Sequence, residues 1–275
     1  MKDLLVFLDG TAADEARIVQ AEALASQHES FLTGLYCNAL PEVMFASEAG
    51  MASIDVVSQM QDSSRAEGDS RAEAIATRFG ALSVKNEVRR FDVYSSQIGL
   101  TLASEARTAD LFIASRPYGH YNSHAEALEQ VLFNSGRGCL FLPPVGDPKR
   151  FDHVVLAWRN TREAARAVSE ALPILTSAKK VYIVMATGEE AAEDEGAMPG
   201  ADISRYLGRH GADVELRMLT NWSNVGEALL NEVEKLDADL LVMGGYGHSR
   251  FREWVLGGAT RDILTRAEMP VLIAH

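Results

Sequence analysis

A chain of 275 residues, 47% hydrophobic and 24% charged, carries enough apolar material for a sizeable core and is too apolar for intrinsic disorder. Its formal net charge of −13 excludes a general surface for nucleic acid or anionic membrane, which needs clustered positive charge, so any phosphate site must be local. Cys37 and Cys139 stand in apolar surroundings without CxxC spacing, which excludes a disulfide framework and a structural zinc site and leaves two buried thiols.

The opening MKDLLVFLDGT has one lysine, a short apolar run and then Asp9, without the long apolar region of a signal peptide or membrane span, which predicts a cytoplasmic location. Leu4 to Leu8 reads as a strand, AADEARIVQAEALASQ as an amphipathic helix and Phe31 to Cys37 as a second strand, the β-α-β beginning of a parallel sheet. The stretch from Leu40 to Gly68 follows, expected as a helix or a lid. Strands near 88–93, 110–114 and 139–142 complete this half. PPVGDPK, Pro143 to Lys149, then breaks the pattern, because its prolines cannot continue a central strand and its glycine permits a turn.

The same order restarts at Phe151, with strands expected near 153–157, 180–185, 213–219, 239–243 and 270–274. The acidic GEEAAEDEGAMPG, Gly188 to Gly200, reads as a solvated loop, and Met218 and Trp222 read as packing residues. TADLFIASRPYGHYN at Thr108 matches DADLLVMGGYGHSR at Asp237, and RGCLFLPP at Arg137 matches MPVLIAH at the end of the chain. An internal duplication explains the shared order. The expected fold class is α/β: two tandem domains, 1–146 and 150–275, each an open five-stranded parallel sheet with helices on both faces.

Open parallel sheets bind ligands beyond the carboxyl ends of their strands, where neighbouring connections diverge. In the second half those places are AWRNT, Ala157 to Thr161, and GGYGHSR, Gly244 to Arg250. Glycine lets a ligand approach the main chain and permits φ > 0. Gly244 and Gly247 bracket a tight loop, and Gly257 and Gly258 precede Ala259, Thr260 and the amphipathic RDILTRAEM. If RDIL opens a helix, its free amides and positive dipole end face the same crevice, and Thr260 caps that helix or bonds a phosphate oxygen. Between the pairs, Phe251, Trp254, Val255 and Leu256 supply packing, and His248, Arg250 and Arg252 supply positive charge. The alternative is that each glycine pair only shapes a turn and admits close packing. No P-loop or GxSxG occurs, Arg250 stands where a GxGxxG motif needs its third glycine, and His120 and His124 alone do not make a metal site. No catalytic or metal-ligating residue is assigned.

Together these features resemble two tandem copies of the universal stress protein domain, covering nearly the whole chain. The resemblance implies a Rossmann-like, adenine nucleotide alpha hydrolase-like sheet in each half. The nucleotide-binding branch of that family carries G-x2-G-x9-G-[ST] after its fourth strand; Gly244, Gly247 and Gly257 match the spacing, Gly258 replaces the Ser or Thr, and Thr260 follows two residues later. Carried over, Gly244 and Gly247 approach the ribose and phosphates, His248 lines the phosphate loop, and Gly257, Gly258, Ala259 and Thr260 hold phosphate oxygens. Ala157, Trp158, Met185 and Met243 border the adenine, with Trp158 placed to stack. The acid that contacts adenine in the family falls here near Trp158 or Arg159, and arginine accepts no hydrogen bond.

The first half shows the reverse pattern: Asp9 stands at the adenine-acid position, but only Gly119 of the first glycine pair remains and Pro117 removes an amide donor. This half is expected to bind no ATP. The last strand of each half is a candidate sheet edge needing a partner, and the resemblance implies a pseudo-dimer of the halves through it, with a homodimer as a separate expectation. The function implied is binding of ATP or AMP, with Mg²⁺ for the triphosphate, in stress response or signalling with a regulatory protein partner. A nucleotide-free interaction module and a slow ATP hydrolase using His248 as base are the alternatives.

Overall fold

Leu4 to Leu8 are each 2% exposed or less, and a run that is apolar on both faces is stable only in the middle of a covered parallel sheet. A computed structural model of the chain, which describes residues 1–42, 54–118, 124–144, 147–186, 200–220, 222–245 and 258–275, places it there. The first half runs β1 (Asp3–Leu8), α1 (Asp14–His28), β2 (Phe31–Leu40), α2 (Ile54–Gly80), β3 (Asn86–Tyr94), α3 (Ile98–Ala106), β4 (Leu111–Ser115), α4 (Ala125–Asn134) and β5 (Gly138–Leu142). The second runs β6 (His153–Ala157), α5 (Arg162–Ser177), β7 (Lys180–Ala186), α6 (Ala201–Arg209), β8 (Val214–Leu219), α7 (Val225–Lys235), β9 (Leu240–Gly244), α8 (Gly258–Arg266) and β10 (Val271–Ala274).

The ten strands form one sheet in the order β3-β2-β1-β4-β5-β10-β9-β6-β7-β8. Within each half every pairing is parallel. At the centre β5 and β10 pair antiparallel, with Phe141 opposite Val271, Leu140 opposite Leu272 and Cys139 opposite Ile273, which is the edge-to-edge pairing expected of the two last strands.

Alternation along the strands sends their side chains into two apolar layers. One face packs Leu4, Val6, Ile113, Leu140, Leu156, Val242 and Leu272 against α1, α2, α5 and α6. The other packs Phe7, Phe112, Phe141, Val155, Met243 and Ile273 against α3, α4, α7 and α8. Helices therefore cover both faces, as the parallel connections require. Helix starts are written locally: Thr161 Oγ1 accepts from the Ala164 amide at 3.3 Å to cap α5, and Asn224 Oδ1 accepts from the Glu227 amide at 3.2 Å to cap α7. Gln20 of α1 holds the inter-half connection through both its amide atoms, 2.7 Å to the Lys149 nitrogen and 3.0 Å to its oxygen.

Both cysteines are buried and free, and burial pushes the Cys37 thiol up to about 12. Of the region from Leu40 to Gly68, residues from Ile54 onward belong to α2, and 43–53 lie outside the described residues. So does all of the acidic stretch Gly188 to Gly200 except Gly200 itself. Met218 and Trp222, expected as packing residues, are instead 41% and 39% exposed. The reason for Met218 is position: β8 is the outer strand of the sheet and pairs only with β7. No helix among the described residues is long and apolar enough to cross a membrane.

Removing Met269 to His275 takes away β10 and bares the β5 edge. Limited proteolysis of the shortened chain is expected to cut rapidly between Pro143 and Arg150 and release the two halves as separate fragments. Protection equal to that of the full chain would show that other contacts hold the halves together.

Candidate functional site

Parallel pairing gathers the carboxyl ends of β6, β7 and β9. Ala157 pairs with Met243 on one side and Val184 on the other, and the Trp158 amide extends the ladder by donating to the Val184 oxygen at 2.9 Å. Ala157, Trp158, Met185, Met243 and Gly244 thus lie on three adjacent strand ends. Met185 and Met243 are 3% and 6% exposed; Met243 belongs to the layer under α7 and α8, whereas half-buried Trp158 packs against the opposite layer.

The glycines divide by what surrounds them. A Cβ on Gly244 would lie 2.5 Å from the Ala164 nitrogen and 2.6 Å from the Glu163 carbonyl carbon, so the first turn of α5 packs directly on the end of β9 and only glycine fits. A Cβ on Gly245 would lie 2.7 Å from Ile273 Cγ2. The Gly245 amide donates to the Ala274 oxygen at 2.9 Å, and its own oxygen lies 3.1 Å from His275 Nδ1. Gly258 is different. It is exposed, it begins α8, and among the described residues nothing stands within 4 Å of where its Cβ would be.

RDIL does lie in a helix, but one that starts three residues earlier, at Gly258. Thr260 is therefore the third residue of α8, 5% exposed, and lies inside the first turn rather than serving as its cap. The amides of Gly258, Ala259 and Thr260 belong to the first described turn of α8, and the carbonyls four residues before them lie outside the described residues. Asn224 Nδ2 donates to Asp262 Oδ2 at 3.0 Å and Arg266 pairs with Glu227 at 3.1 Å, so α8 is braced along α7. Gly247, His248 and Gly257 lie outside the described residues, as do Arg250, Phe251, Arg252, Trp254, Val255 and Leu256.

Glu163 was not foreseen. It lies in the first turn of α5, 8% exposed, with Arg162 Nε 3.1 Å from its carboxylate. Burial opposes its charge, yet its own backbone amide and Arg162 hold the carboxyl below the usual range. The crest of the second half therefore does contain an acid, placed by the helix rather than by the loop after β6.

At the corresponding crest of the first half, Asp9 is already occupied. Its Oδ1 accepts from Arg17 at 2.7 Å and from the amide and hydroxyl of Thr11 at 3.1 and 2.6 Å. Arg17, 2% exposed, also pairs with Asp14 and lies 5.7 Å over the Phe7 ring. Asp14 in turn accepts from the amides of Asp9 and Gly10 at 3.1 and 2.9 Å. Burial raises the Asp9 carboxyl, but Arg17 and Thr11 hold it below its ordinary range. Asp14 goes the other way: burial and the Asp9 charge push it up to about 6 against the pull of Arg17. His124 lies edge-on to Phe7 at 5.3 Å, and burial lowers its pKa against the pull of Asp9. His120 lies outside the described residues.

These features define a class: a doubly wound α/β protein with a crest at the strand ends of each half. The model of the universal stress protein family matches residues 150–275 of the chain. A universal stress protein of Synechocystis is 35% identical over 68 residues, a stretch covering 25% of this chain and 23% of that protein. The crystal structure of an Archaeoglobus fulgidus universal stress protein shares the fold of the whole chain, with a TM-score of 0.72 at 15% identity over 98% of this chain and 97% of that one. A Pseudomonas aeruginosa protein described as a universal stress protein aligns at a TM-score of 0.61 and 17% identity over 100% of this chain and 93% of its own.

Two outcomes follow from this geometry. Gly244→Ala is expected to cost about 1–3 kcal/mol in urea unfolding, because the clash is with backbone, whereas Gly258→Ala is expected to be neutral or stabilising by up to about 1 kcal/mol. For Asp14, the folded chain keeps a proton that the unfolded chain has released between pH 3.8 and about 6. This group therefore lowers stability as pH rises through that window. The stability of Asp14→Asn relative to wild type is expected to rise by about 1–3 kcal/mol between pH 4 and pH 7, measured by urea unfolding at both values; a constant difference would refute the assignment.

Proposed function

We propose that the C-terminal half binds an adenine nucleotide, ATP or AMP, at the crest of β6, β7 and β9, and acts in stress response or signalling by presenting a different surface when loaded. One observation carries this reading: the G-x2-G-x9-G spacing of Gly244, Gly247 and Gly257 ends where α8 begins, with the Gly258 position open to solvent. Phosphate oxygens would take the amides of Gly258, Ala259 and Thr260 together with the positive end of the helix dipole. At the neighbouring strand ends, Met185 and Met243 would offer apolar contacts to a purine and Trp158 an aromatic surface. Mg²⁺ would accompany a triphosphate and neutralise part of its charge. Arg159 offers no acceptor to the base, so affinity rests on the phosphates and ATP is expected to bind more tightly than AMP.

A nucleotide-free interaction module is the second reading, and Gly244 favours it, since its contact with α5 accounts for that glycine without a ligand. A slow hydrolase with His248 as base is the third.

Calorimetry with Mg·ATP and AMP on wild type and on Gly247→Val decides between them. Binding near one site per chain, abolished in a Gly247→Val protein with native circular dichroism, is the expected result. A well-folded wild type that binds neither nucleotide would transfer the function to protein partners.

A further inference from the structure

The stretch between Gly245 and Gly258 leaves one anchor and returns to another, and both anchors touch the other half of the chain. At the first, Phe133 of α4 stacks edge-on against His275 at 4.9 Å, and that histidine holds the Gly245 carbonyl. At the second, Arg116 Nη1 donates to the Ala267 oxygen, one residue beyond the end of α8, at 2.6 Å. Arg261 of the same helix lies with its guanidinium 5.7 Å over the Tyr118 ring. Tyr118 is itself fixed by donating its hydroxyl proton to Glu129 of α4. Arg116 is fixed by its backbone, whose amide donates to the Leu142 oxygen at 2.9 Å and continues the β4–β5 ladder.

Arg116 and Tyr118 follow directly on β4, so they stand at the crest of the first half. Because β5 and β10 run antiparallel, that crest lies beside the carboxyl end of α8. A guanidinium at a helix carboxyl end satisfies a free carbonyl and complements the dipole, and its charge makes the hydrogen bond a strong one. A nine-residue helix transmits that restraint over about 13 Å as a rigid rod.

We infer that the N-terminal half sets the phosphate affinity of the C-terminal crest, with Arg116 as the positioning residue that fixes α8 and so aims the amides of Gly258 to Thr260. This rests on the nucleotide reading above. The halves are then unequal: one carries the site, and the other holds the helix that completes it.

The test uses the full chain as wild type, Arg116→Met and Arg116→Lys, titrated calorimetrically with Mg·ATP and with adenosine, which lacks phosphate. Arg116→Met is expected to weaken ATP binding about tenfold while adenosine changes by less than about twofold, and Arg116→Lys, which can still donate to one carbonyl, recovers most of the loss. Unchanged ATP binding in Arg116→Met would overturn the inference and leave the nucleotide reading intact. Equal losses for ATP and adenosine would also overturn it, by showing that Arg116 only supports the fold. Wild type that binds neither ligand would overturn the nucleotide reading, and the inference with it.

Discussion

The pairing of Leu140 with Leu272 is the contact on which the architecture turns. Each half is a parallel sheet whose last strand has one satisfied edge and one row of amides and carbonyls facing outward. Both strands are fully buried, with exposures of 3% or less throughout, so neither can meet water. Placing the two edges against each other satisfies both rows and joins two small sheets into one with a continuous core on either face. The contacts of Arg116 with Ala267 and of Phe133 with His275 exist only because that pairing brings the halves into register.

The two halves repeat one order of elements, but their crests are chemically opposite. Leu4 faces Leu111 in one half as Val154 faces Leu240 in the other, and carrying that correspondence along the chain sets Asp9 against Arg159 and Arg17 against Ala167. The alanine is an ordinary core residue of α5. The arginine brings a charge into the same layer and must be neutralised there, which Asp9 and Asp14 do together. Burial is the main reason one of these two carboxylates holds its proton so far up the pH scale, and the charge of the other on the same guanidinium adds to it. The first half spends its acid on itself in a closed ion cluster, whereas in the second Gly258, the first described residue of α8, is exposed.

Most strands were legible because buried runs such as LLVFL and LLVM are bounded by turn residues, and the structure moves their ends by at most three residues. The repeated order of elements was legible because short motifs recur with it. What could not be read depends on partners distant in the chain. Gly244 looks like a ligand-facing glycine until α5 is seen against it, and nothing local marks Glu163 as a buried acid or Arg17 as a fully enclosed cation. Asp9 could be placed by its position after β1, but not the contact of its carboxylate with Arg17 of α1, which joins the one it makes with Thr11 in its own loop. Met218 follows the apolar pattern of a core strand, but packing is decided by whether a neighbour exists, and the outer position of β8 is a property of the whole sheet.

The antiparallel seam also fixes which way the molecule points. Parallel strands in one half end at one margin of the sheet, and those of the other half end at the opposite margin, so the two crests face away from each other across a strand length of about 17 Å. Two bodies could therefore dock at once, one on each margin, without competing for space.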